Sequence, residues 1–553
     1  MRNLKILAFM FALTFIAFSC KNDDDDNEVL SIVDFTPKTA TAGTEVTIVG
    51  TKFSATASEN VVKFGTVEAA IKSATTNQIV AIVPSNATTG KISVTVNGQT
   101  VSSSSDFTIS TRSVVEVSGE IKSSRTWSSD SIYLLKGFVY VTDGVTLTIE
   151  PGTLIKGDKE SKGALVIEKG AKLIAEGTAQ NPIVFTSNQA KGSRSYGDWG
   201  GVVLMGKAPH NRLATQTFEG GLRGTYGAFN VADDNSGSLK YVRIEFAGVA
   251  LTASANSEVN GLTLYSVGSG TTLEHIQVSY SGDDSYEWFG GTVNAKYLVA
   301  YRGFDDDFDT DFGFSGKVQY GVSLRDPNVA DQSGSNGFES DNFGNSGTPA
   351  TDQNNGLPLT SPVFANISVF GTSGTPSSAA TPAPGSGPYQ SAMHLRRNTS
   401  ISIFNSVLVG YPEGLRLDNN DVDTTVQTVG TSTYANAISG NLQLRGIVLA
   451  NVTNALLGKG KVTNDQASKV FNMTGNNNLV ATTLSELSLN AANFTLGTPN
   501  FLPASSSPLL QNAVWTGKGD NAFFTKETFR GAFGTVDWTA GWTNFDPQNT
   551  DYK

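Results

Sequence analysis

Residues 147–177, LTIEPGTLIKGDKESKGALVIEKGAKLIAEG, contain two versions of one short pattern. LTIEPGTLIKG and LVIEKGAKLIAEG match at one constant offset, so that Glu150 corresponds to Glu168 and Gly152 to Gly170. Each version is a short strand with alternating side chains, followed by a glycine turn. A repeat of about 20 residues without a helical period predicts a β-solenoid, in which each coil buries its apolar side against the next coil.

Related strands recur along the chain to about residue 515. They are LKYVRIEFAG, LEHIQVSYSG, PVFANISVFG, ISIFNSVLVG and LQLRGIVLAN, and each ends in a small residue or a turn. This sequence pattern resembles that of the right-handed parallel β-helices of the pectin-lyase-like superfamily. SSPLLQNA at 506–513 resembles the last rung of those proteins. We therefore expect a β-helix over residues 115–515. A pair of ordinary β-sandwiches is the alternative, but the regular spacing argues against it.

Residues 30–110 precede the repeats and have a different pattern. LSIVDFTPKTATAGTEVTIVGTKF opens a series of about seven short strands with turn residues every 8–12 positions, which predicts a β-sandwich. The order of motifs resembles an IPT/TIG domain, an immunoglobulin-like fold. The resemblance implies that this unit acts as a spacer.

The C-terminal residues 516–553 carry an aromatic segment, FRGAFGTVDWTAGWTNFDP. It includes Trp538 and Trp542. Because the ends of a solenoid must be covered, we expect this segment to form an aromatic cap over the last coil.

The N-terminus predicts export. Residues 1–19 contain a short basic region and an apolar run that is too short to span a bilayer comfortably. The chain's only cysteine, Cys20, follows directly and resembles the cysteine of a bacterial lipobox, which implies cleavage before Cys20 and its lipidation. Residues 20–29 include KNDDDDNE, an acidic tether that resembles the tag of surface-exposed lipoproteins of Bacteroidota. The outer face of the outer membrane is the expected location; a periplasm-facing lipoprotein and ordinary secretion are the alternatives.

Residues 301–316, YRGFDDDFDTDFGFSG, place five aspartates within seven positions among four phenylalanines. In an extended strand, side chains alternate between two faces. The phenylalanines would then enter the solenoid core together with Asp306. The other four aspartates, Asp305, Asp307, Asp309 and Asp311, would point away from it.

The same acidic pattern occurs a short distance earlier in the chain, in SGDDSYEWFGGTV. Asp283, Asp284 and Glu287 correspond to Asp305, Asp306 and Asp309 at one constant offset in the sequence. If one coil is as long as this offset, the corresponding acids of neighbouring coils lie about 4.8 Å apart. Such stacking raises carboxylate pKa values unless a hard cation such as Ca²⁺ is bound. We predict these metal ligands: Asp283, Asp284, Glu287, Asp305, Asp307, Asp309 and Asp311. A hydrated acidic ridge and a purely structural Ca²⁺ site are the alternatives to a functional site.

Four other residues are candidates for ligand binding. Tyr286 and Trp288 adjoin the acids, and an aromatic ring beside oxygen acceptors is a common way to hold a sugar. Arg302 could serve as the base of a lyase, and Trp199 in YGDWGG could form a ligand platform. The alternative is that these aromatic side chains fill the core of a coil.

No catalytic residue is assigned from the sequence. The chain lacks the Gly-His-Gly and Trp-Ile-Asp-His signatures of β-helix pectinases, and its histidines, His210, His275 and His394, have no triad or metal spacing. The net charge of −11 argues against a nucleic-acid partner.

The mature chain as a whole resembles Bacteroidota surface lipoproteins that join an IPT/TIG-like spacer to a β-helix. The resemblance implies a non-catalytic protein that binds an extracellular polymer, most simply a glycan, beside a TonB-dependent transporter. A second hypothesis is a Ca²⁺-dependent polysaccharide lyase or glycoside hydrolase centred on Asp283, Asp284, Asp305, Asp306 and Arg302. A third is an adhesin or a structural protein of the cell envelope.

Overall fold

The computed structural model describes residues 29–109, 112–250, 258–342, 356–371, 387–419, 429–489 and 491–552. The predicted export signal, Cys20 and nearly all of the acidic tether lie outside these residues. Two compact units are present, one formed by the described residues up to 109 and one by the described residues from 112 to 552, and each is described by itself. Within the described residues, no helix is long and apolar enough to cross a membrane.

The first unit is an all-β domain, as predicted. Its strands are β1 (Ser31–Thr36), β2 (Thr39–Ala40), β3 (Glu45–Thr51), β4 (Asn60–Phe64), β5 (Val67–Ala74), β6 (Gln78–Ile82), β7 (Gly90–Val96) and β8 (Gln99–Ile109). They hydrogen-bond in the order β1-β3-β6-β5-β4-β7-β8-β2. Alternate side chains such as Val46, Ile48, Ile92 and Val94 are buried in one apolar cluster, which is why the period of two in the sequence predicts these strands well.

The regular secondary structure of the second unit is mainly β-strand, with two short α-helices among its described residues. The first strands are β9 (Ser113–Ile121), β10 (Arg125–Trp127), β11 (Ser131–Val141), β12 (Thr146–Ile149), β13 (Leu154–Gly157), β14 (Ala164–Ile167), β15 (Lys172–Glu176), β16 (Ile183–Ser187), β17 (Gly201–Met205), β18 (Gly237–Glu245), β19 (Val249–Ala250), β20 (Glu258–Val259), β21 (Leu262–Val267) and β22 (Thr272–Ser279). The remaining strands are β23 (Tyr286–Gly291), β24 (Asn294–Tyr301), β25 (Phe308–Asp311), β26 (Lys317–Leu324), β27 (Phe338–Ser340), β28 (Val363–Phe370), β29 (Ser391–Leu395), β30 (Ser402–Phe404), β31 (Val407–Val409), β32 (Glu413–Asn419), β33 (Leu444–Arg445), β34 (Val448–Ala450), β35 (Asn454–Gly460) and β36 (Leu479–Ala481). The helices are α1 (Thr433–Ile438) and α2 (Asn464–Phe471).

Each coil of this unit crosses three parallel sheets. β12, β15 and the first halves of β18, β22, β24, β26 and β28 stack in the first sheet. β13, β16 and the second halves of β18, β22, β24, β26 and β28 stack in the second. β14, β17, β21, β23, β25, β27, β29, β32 and β35 stack in the third. This arrangement confirms the predicted parallel β-solenoid, whose interior is one continuous apolar cluster.

The offset that links Asp283 to Asp305 is the length of one coil, but the offset that links Glu150 to Glu168 is not. Tyr286 pairs with Phe308 on the next coil, as the first offset requires. Leu147, however, pairs with Leu173 in the first sheet, whereas Glu168 follows a strand of the third sheet. The match between the segments of Glu150 and Glu168 therefore joins two strands of different sheets, so this offset is not a repeat from one coil to the next.

A shared turn explains the misleading match. Gly152 and Gly170 both have a positive φ, 78° and 83°, shortly after a strand. An L-residue rarely adopts this conformation, so both turns favour glycine whichever sheet they leave. Strands of one coil consequently share a sequence pattern that can be mistaken for a repeat from one coil to the next.

The C-terminal segment is not a cap over the last coil. From residue 516 it runs back along the solenoid: Arg445 donates to Thr516 at 2.6 Å, and Gln319 donates to the carbonyl of Thr525 at 2.7 Å. Farther on, Gln277 donates to the carbonyl of Asn544 at 2.8 Å. Tyr552 at its end accepts a hydrogen bond from Lys156 of an early coil at 2.9 Å. We call residues 516–552 the return segment.

The two tryptophans bind the return segment to a corner of the solenoid. His275 stacks between Tyr241 and Tyr297 with ring centroids 4.4 Å and 4.3 Å apart. Trp542 packs edge-on against His275 at 5.6 Å, and Trp538 packs against Tyr297 at 5.4 Å. The prediction of a cap is therefore wrong. The two tryptophan rings of the return segment pack against stacked rings in the middle of the solenoid.

Candidate functional site

The predicted acidic residues collect on the outer side of the third sheet. Glu287 of β23 pairs with Asp309 of β25, which pairs with Glu339 of β27. The neighbouring residues Tyr286 and Phe308 point into the core, so alternation directs the acids outward. Successive coils consequently hold their carboxylates one above another, as the constant offset between the two acidic segments predicted.

The turn before the third sheet supplies the other acids. Residues 302–307 and 281–285 precede β25 and β23 and are not strands. The amide of Ser285 donates to the carbonyl of Asp306 at 2.9 Å, and the amide of Asp306 donates to the Asp284 carboxylate at 2.8 Å. These bonds stack the two turns, so the acids of one turn lie against those of the next.

Asp307 does not belong to this site, and its prediction as a metal ligand was wrong. Its carboxylate accepts a hydrogen bond from Arg325 at 2.8 Å, and both side chains are completely buried. The physical reason is that β25 begins only at Phe308, so strand alternation does not extend back through the turn. Asp306, expected in the core, instead joins the acids.

The phenylalanines of residues 301–316 do not all lie on the side of the strand that the sequence predicted. Phe308 and Phe314 enter the core of the solenoid as expected. Phe312 belongs to a separate apolar cluster on the outer side of the third sheet, and Phe304 is only half-buried beside Tyr196. Phe312 has a φ of 47°, which ends the strand and reverses the side on which its ring lies.

Seven carboxylates form three overlapping groups whose oxygens lie within 4.8 Å of one another. The groups are Asp283 with Asp284 and Asp305, Asp284 with Glu287 and Asp309, and Asp306 with Asp309 and Glu339. We call these seven residues the acidic row. Asp311, the remaining predicted ligand, lies beside the row but belongs to none of the three groups.

Burial makes ionisation of the acidic row unfavourable. Burial, and then the neighbouring carboxylates, raise the pKa values of Asp284, Glu287 and Asp309 well above their ordinary range. Burial and then Glu339 raise the pKa of Asp306 to about 7. These carboxylates can therefore ionise readily only if positive charge comes from another source.

One end of the acidic row is already neutralised. Arg396 forms ion pairs with Glu339 and, at 2.7 Å, with Asp341, and His394 lies 3.2 Å from Glu339. Burial acts to raise the pKa of Glu339, but Arg396 and then His394 outweigh it and lower this pKa to about 2. Arg397 also pairs with Asp341. Positive charge is thus concentrated at the Glu339 end.

Several oxygens along the acidic row have no hydrogen-bond partner in the described part of the chain. They include one carboxylate oxygen of Asp305 and one of Asp309. The amide oxygen of Asn260 is a third, and this residue is only 2% exposed, with its NH₂ group donating to Glu287. Carboxylate and amide oxygens are the ligands that Ca²⁺ prefers, so the donor set fits a hard divalent cation.

Three of the four residues predicted to bind a ligand are buried, so these three predictions are corrected, whereas that for Arg302 stays a prediction. Tyr286 and Trp288 are core side chains, because strand alternation turns them inward. Trp199 is fully buried and donates from its indole nitrogen to the carbonyl of Glu245 at 2.8 Å. Arg302 pairs with Asp326 and lies 4.7 Å from the ring of Tyr280, outside the acidic row.

Residues 206–236, inserted between β17 and β18, contribute a part of the site that the sequence did not reveal. Phe218 packs on Tyr265 of the third sheet at 4.6 Å, and Arg212 lies 4.3 Å from the ring of Phe312. Burial raises the pKa of Glu219 to about 7, with Arg212 opposing this shift and Glu258 adding to it. The insertion thus covers the outer side of the third sheet next to the acidic row.

The missed residues had no usable signal in the sequence. Asn260 follows an insertion and a turn, so no fixed offset connects it to Glu287. Glu219 lies in a segment without periodicity. Asp306 and Glu339, by contrast, could have been found, since Asp306 corresponds to Asp284 at the same offset that links Asp305 to Asp283, and Glu339 lies in another acidic segment, NGFESDN.

Two family models match the chain. Residues 119–543 match the pectate-lyase-like β-helix domain, and residues 30–109 match the IPT/TIG domain. No curated protein matches. Among solved structures, an auxiliary nutrient binding protein from Bacteroides thetaiotaomicron aligns over 15% of this chain and 21% of its own, with 22% identity and a TM-score of 0.15. A putative phosphatase from the same organism aligns over 14% of this chain and 18% of its own, with 31% identity and a TM-score of 0.14. The chain spans about a fifth of the length of these solved proteins.

Proposed function

We propose, from the premise that this chain belongs to the pectate-lyase-like β-helix family, that it is a surface lipoprotein that binds an extracellular glycan with the help of a divalent cation. The observation that carries the proposal is the acidic row. Its carboxylates are largely buried, and only the Glu339 end has basic partners among the described residues. Burying ionised carboxylates without a counter-charge is costly, which supports a bound cation.

The residues that would hold the cation are those of the acidic row together with the amide oxygen of Asn260. A bound Ca²⁺ supplies positive charge and coordination positions that sugar oxygens can fill, since it accepts 6–8 oxygen ligands. Asp283 and Asp305 are only half-buried, so the row is reachable from solvent at that end. A bound divalent cation favours a ligand that carries negative charge.

The remaining parts of the proposal rest on the sequence. The lipidation at Cys20, the acidic tether and the IPT/TIG domain together support a location on the outside of the outer membrane. A non-catalytic binding protein in this position would supply a TonB-dependent transporter with its glycan. Ca²⁺ and the transporter are the proposed partners.

Affinity electrophoresis of the mature chain, residues 20–553, through gels that contain single polysaccharides tests the proposal. We expect at least one acidic polysaccharide to retard the protein in Ca²⁺ and not in EDTA. Asp284→Asn/Asp309→Asn should abolish the retardation. Asp130→Asn/Asp465→Asn, which changes two exposed acids outside the row, should preserve it. Equal mobility in Ca²⁺ and EDTA on every acidic polysaccharide would contradict the proposal.

A cation-dependent lyase or hydrolase is the second candidate, and one observation favours it. Asp306 and Glu339 belong to the same group of carboxylates, but the pKa of Asp306 is raised to about 7 and that of Glu339 is lowered to about 2. A protonated acid beside an ionised one is the pair that glycoside cleavage uses. New reducing ends or unsaturated products from a retained polysaccharide would establish cleavage, whereas their absence would leave binding alone.

A further inference from the structure

The three groups of the acidic row share members. Asp284 belongs to the first and second groups, and Asp309 belongs to the second and third. Oxygens that ligate one Ca²⁺ at about 2.3–2.6 Å can be at most about 5 Å apart, so each group is small enough to enclose one cation. A carboxylate has two oxygens and can therefore serve two neighbouring cations.

The balance of charge also indicates more than one cation. Of the seven carboxylates in the row, only Glu339 has basic partners within hydrogen-bonding distance among the described residues, namely Arg396 and His394. The other six would carry six negative charges when ionised. A single divalent cation would neutralise two of these six charges, whereas three such cations would neutralise all six.

A second observation, independent of the acids, points to the middle group. Asn260 is only 2% exposed and directs its NH₂ group at Glu287. Its amide oxygen has no hydrogen-bond partner in the described residues, although an unpaired amide oxygen in this environment is costly. A cation among Asp284, Glu287 and Asp309 would satisfy this oxygen as a fourth ligand.

We propose that the acidic row holds three divalent cations in line, with Asp284 and Asp309 as bridging carboxylates. The first position uses Asp283, Asp284 and Asp305, the second Asp284, Glu287, Asp309 and Asn260, and the third Asp306, Asp309 and Glu339. This inference rests on the cation requirement of the proposed function and extends it to a stoichiometry and a pattern of shared ligands.

The test is the number of Ca²⁺ ions bound per chain, measured by equilibrium dialysis of the mature chain at pH 8. We expect three ions for the unmodified chain. Asp305→Asn and Glu339→Gln each remove a ligand of one terminal position, so each variant should bind two ions. Asp309→Asn removes a ligand of two positions and should bind one. Asp130→Asn/Asp465→Asn should bind three.

Native mass spectrometry of the unmodified chain provides the same count if a variant does not fold. One ion per chain would overturn the row of cations and leave the proposed cation-dependent glycan binding in place. No bound ion would overturn both proposals. Equal losses for Asp305→Asn and Asp309→Asn would overturn the bridging role of Asp309.

Discussion

Asp309 shows how one carboxylate can oppose folding in one condition and support it in another. The residue is only 9% exposed, one of its oxygens has no hydrogen-bond partner in the described residues, and other carboxylates surround it. Asp309→Asn removes the charge and nearly conserves the shape. Without divalent cations, at pH 8, we expect this variant to be more stable than the unmodified chain by about 1–3 kcal/mol, the usual penalty of an unsatisfied buried polar group.

In Ca²⁺ the order of the two proteins should reverse, because the variant loses a ligand and gains less stability from the ion. Urea unfolding in EDTA and in Ca²⁺ measures both effects. Asp465→Asn is the matched control, since Asp465 is exposed on α2, and it should change neither value by much. An Asp309→Asn protein that is less stable in EDTA would contradict the assignment of an uncompensated charge.

Asp307 should behave in the opposite way, although it is close to Asp309 in the sequence. Its carboxylate is paired with Arg325 inside the solenoid, where neither side chain reaches solvent. Asp307→Asn leaves a buried guanidinium without its counter-charge, and such a loss destabilises proteins by about 3–5 kcal/mol. We expect this destabilisation in EDTA and in Ca²⁺ alike, with no change in the number of ions bound. A reduced Ca²⁺ stoichiometry would place Asp307 in the acidic row after all.

At the scale of single elements, the sequence predicted the features that depend on strand periodicity. The offset between Tyr286 and Phe308 gave the length of a coil, and alternation placed Glu287 and Asp309 outside the core. Strand periodicity predicted the wrong side for Asp307, because the strand begins only after this residue and hydrogen bonds of the turn set its conformation. It also could not find Asn260, which meets Glu287 only through the stacking of coils.

The stacked turns and strands of the acidic row predict an unusual pH dependence. A carboxyl whose pKa is raised in the folded state binds protons there at a pH at which the unfolded chain has released them, so stability falls as pH rises through this window. The window begins at about 4, the ordinary pKa of Asp and Glu, passes through about 7 for Asp306 and extends above the ordinary range for Asp284, Glu287 and Asp309.

The melting temperature of the metal-free mature chain should therefore decline from about pH 5 to pH 8. Ca²⁺ should raise it strongly at pH 8 and only slightly at pH 5, where the carboxyls hold protons. Thermal unfolding followed by circular dichroism in EDTA and in Ca²⁺ gives these values. The Asp284→Asn/Asp309→Asn chain should have a flatter profile. A melting temperature in EDTA that rises between pH 5 and pH 8 would contradict the prediction.

At the scale of the whole molecule, the return segment connects coils that are far apart in the sequence. Trp542 is almost completely buried against Tyr241 and His275, and Asn544 exchanges two hydrogen bonds with Gln277. The tryptophans suggested burial from the sequence alone. Their partners could not be predicted, because no sequence period relates residue 275 to residue 542.

Trp542→Ala should destabilise the β-helix unit by about 3–5 kcal/mol, as large aromatic truncations in a core do. Phe229→Ala is the matched control, because this ring is 42% exposed and its loss should have a small effect. Hydrogen exchange should show faster exchange near Tyr241 and Tyr297 in the Trp542 variant. Exchange that accelerates only in the last coils would instead favour a cap at the end of the solenoid.

The course of the return segment has a consequence for how the protein matures. Tyr552 contacts Glu245 and Lys156, so coils that leave the ribosome early are covered only by residues that are translated much later. If the chain is exported from its N-terminus, the early coils reach the far side of the membrane while that covering is still in the cytoplasm. Their ring stacks stay exposed until the return segment has crossed the membrane, and a chain that stalls before this segment would remain a substrate for chaperones and proteases.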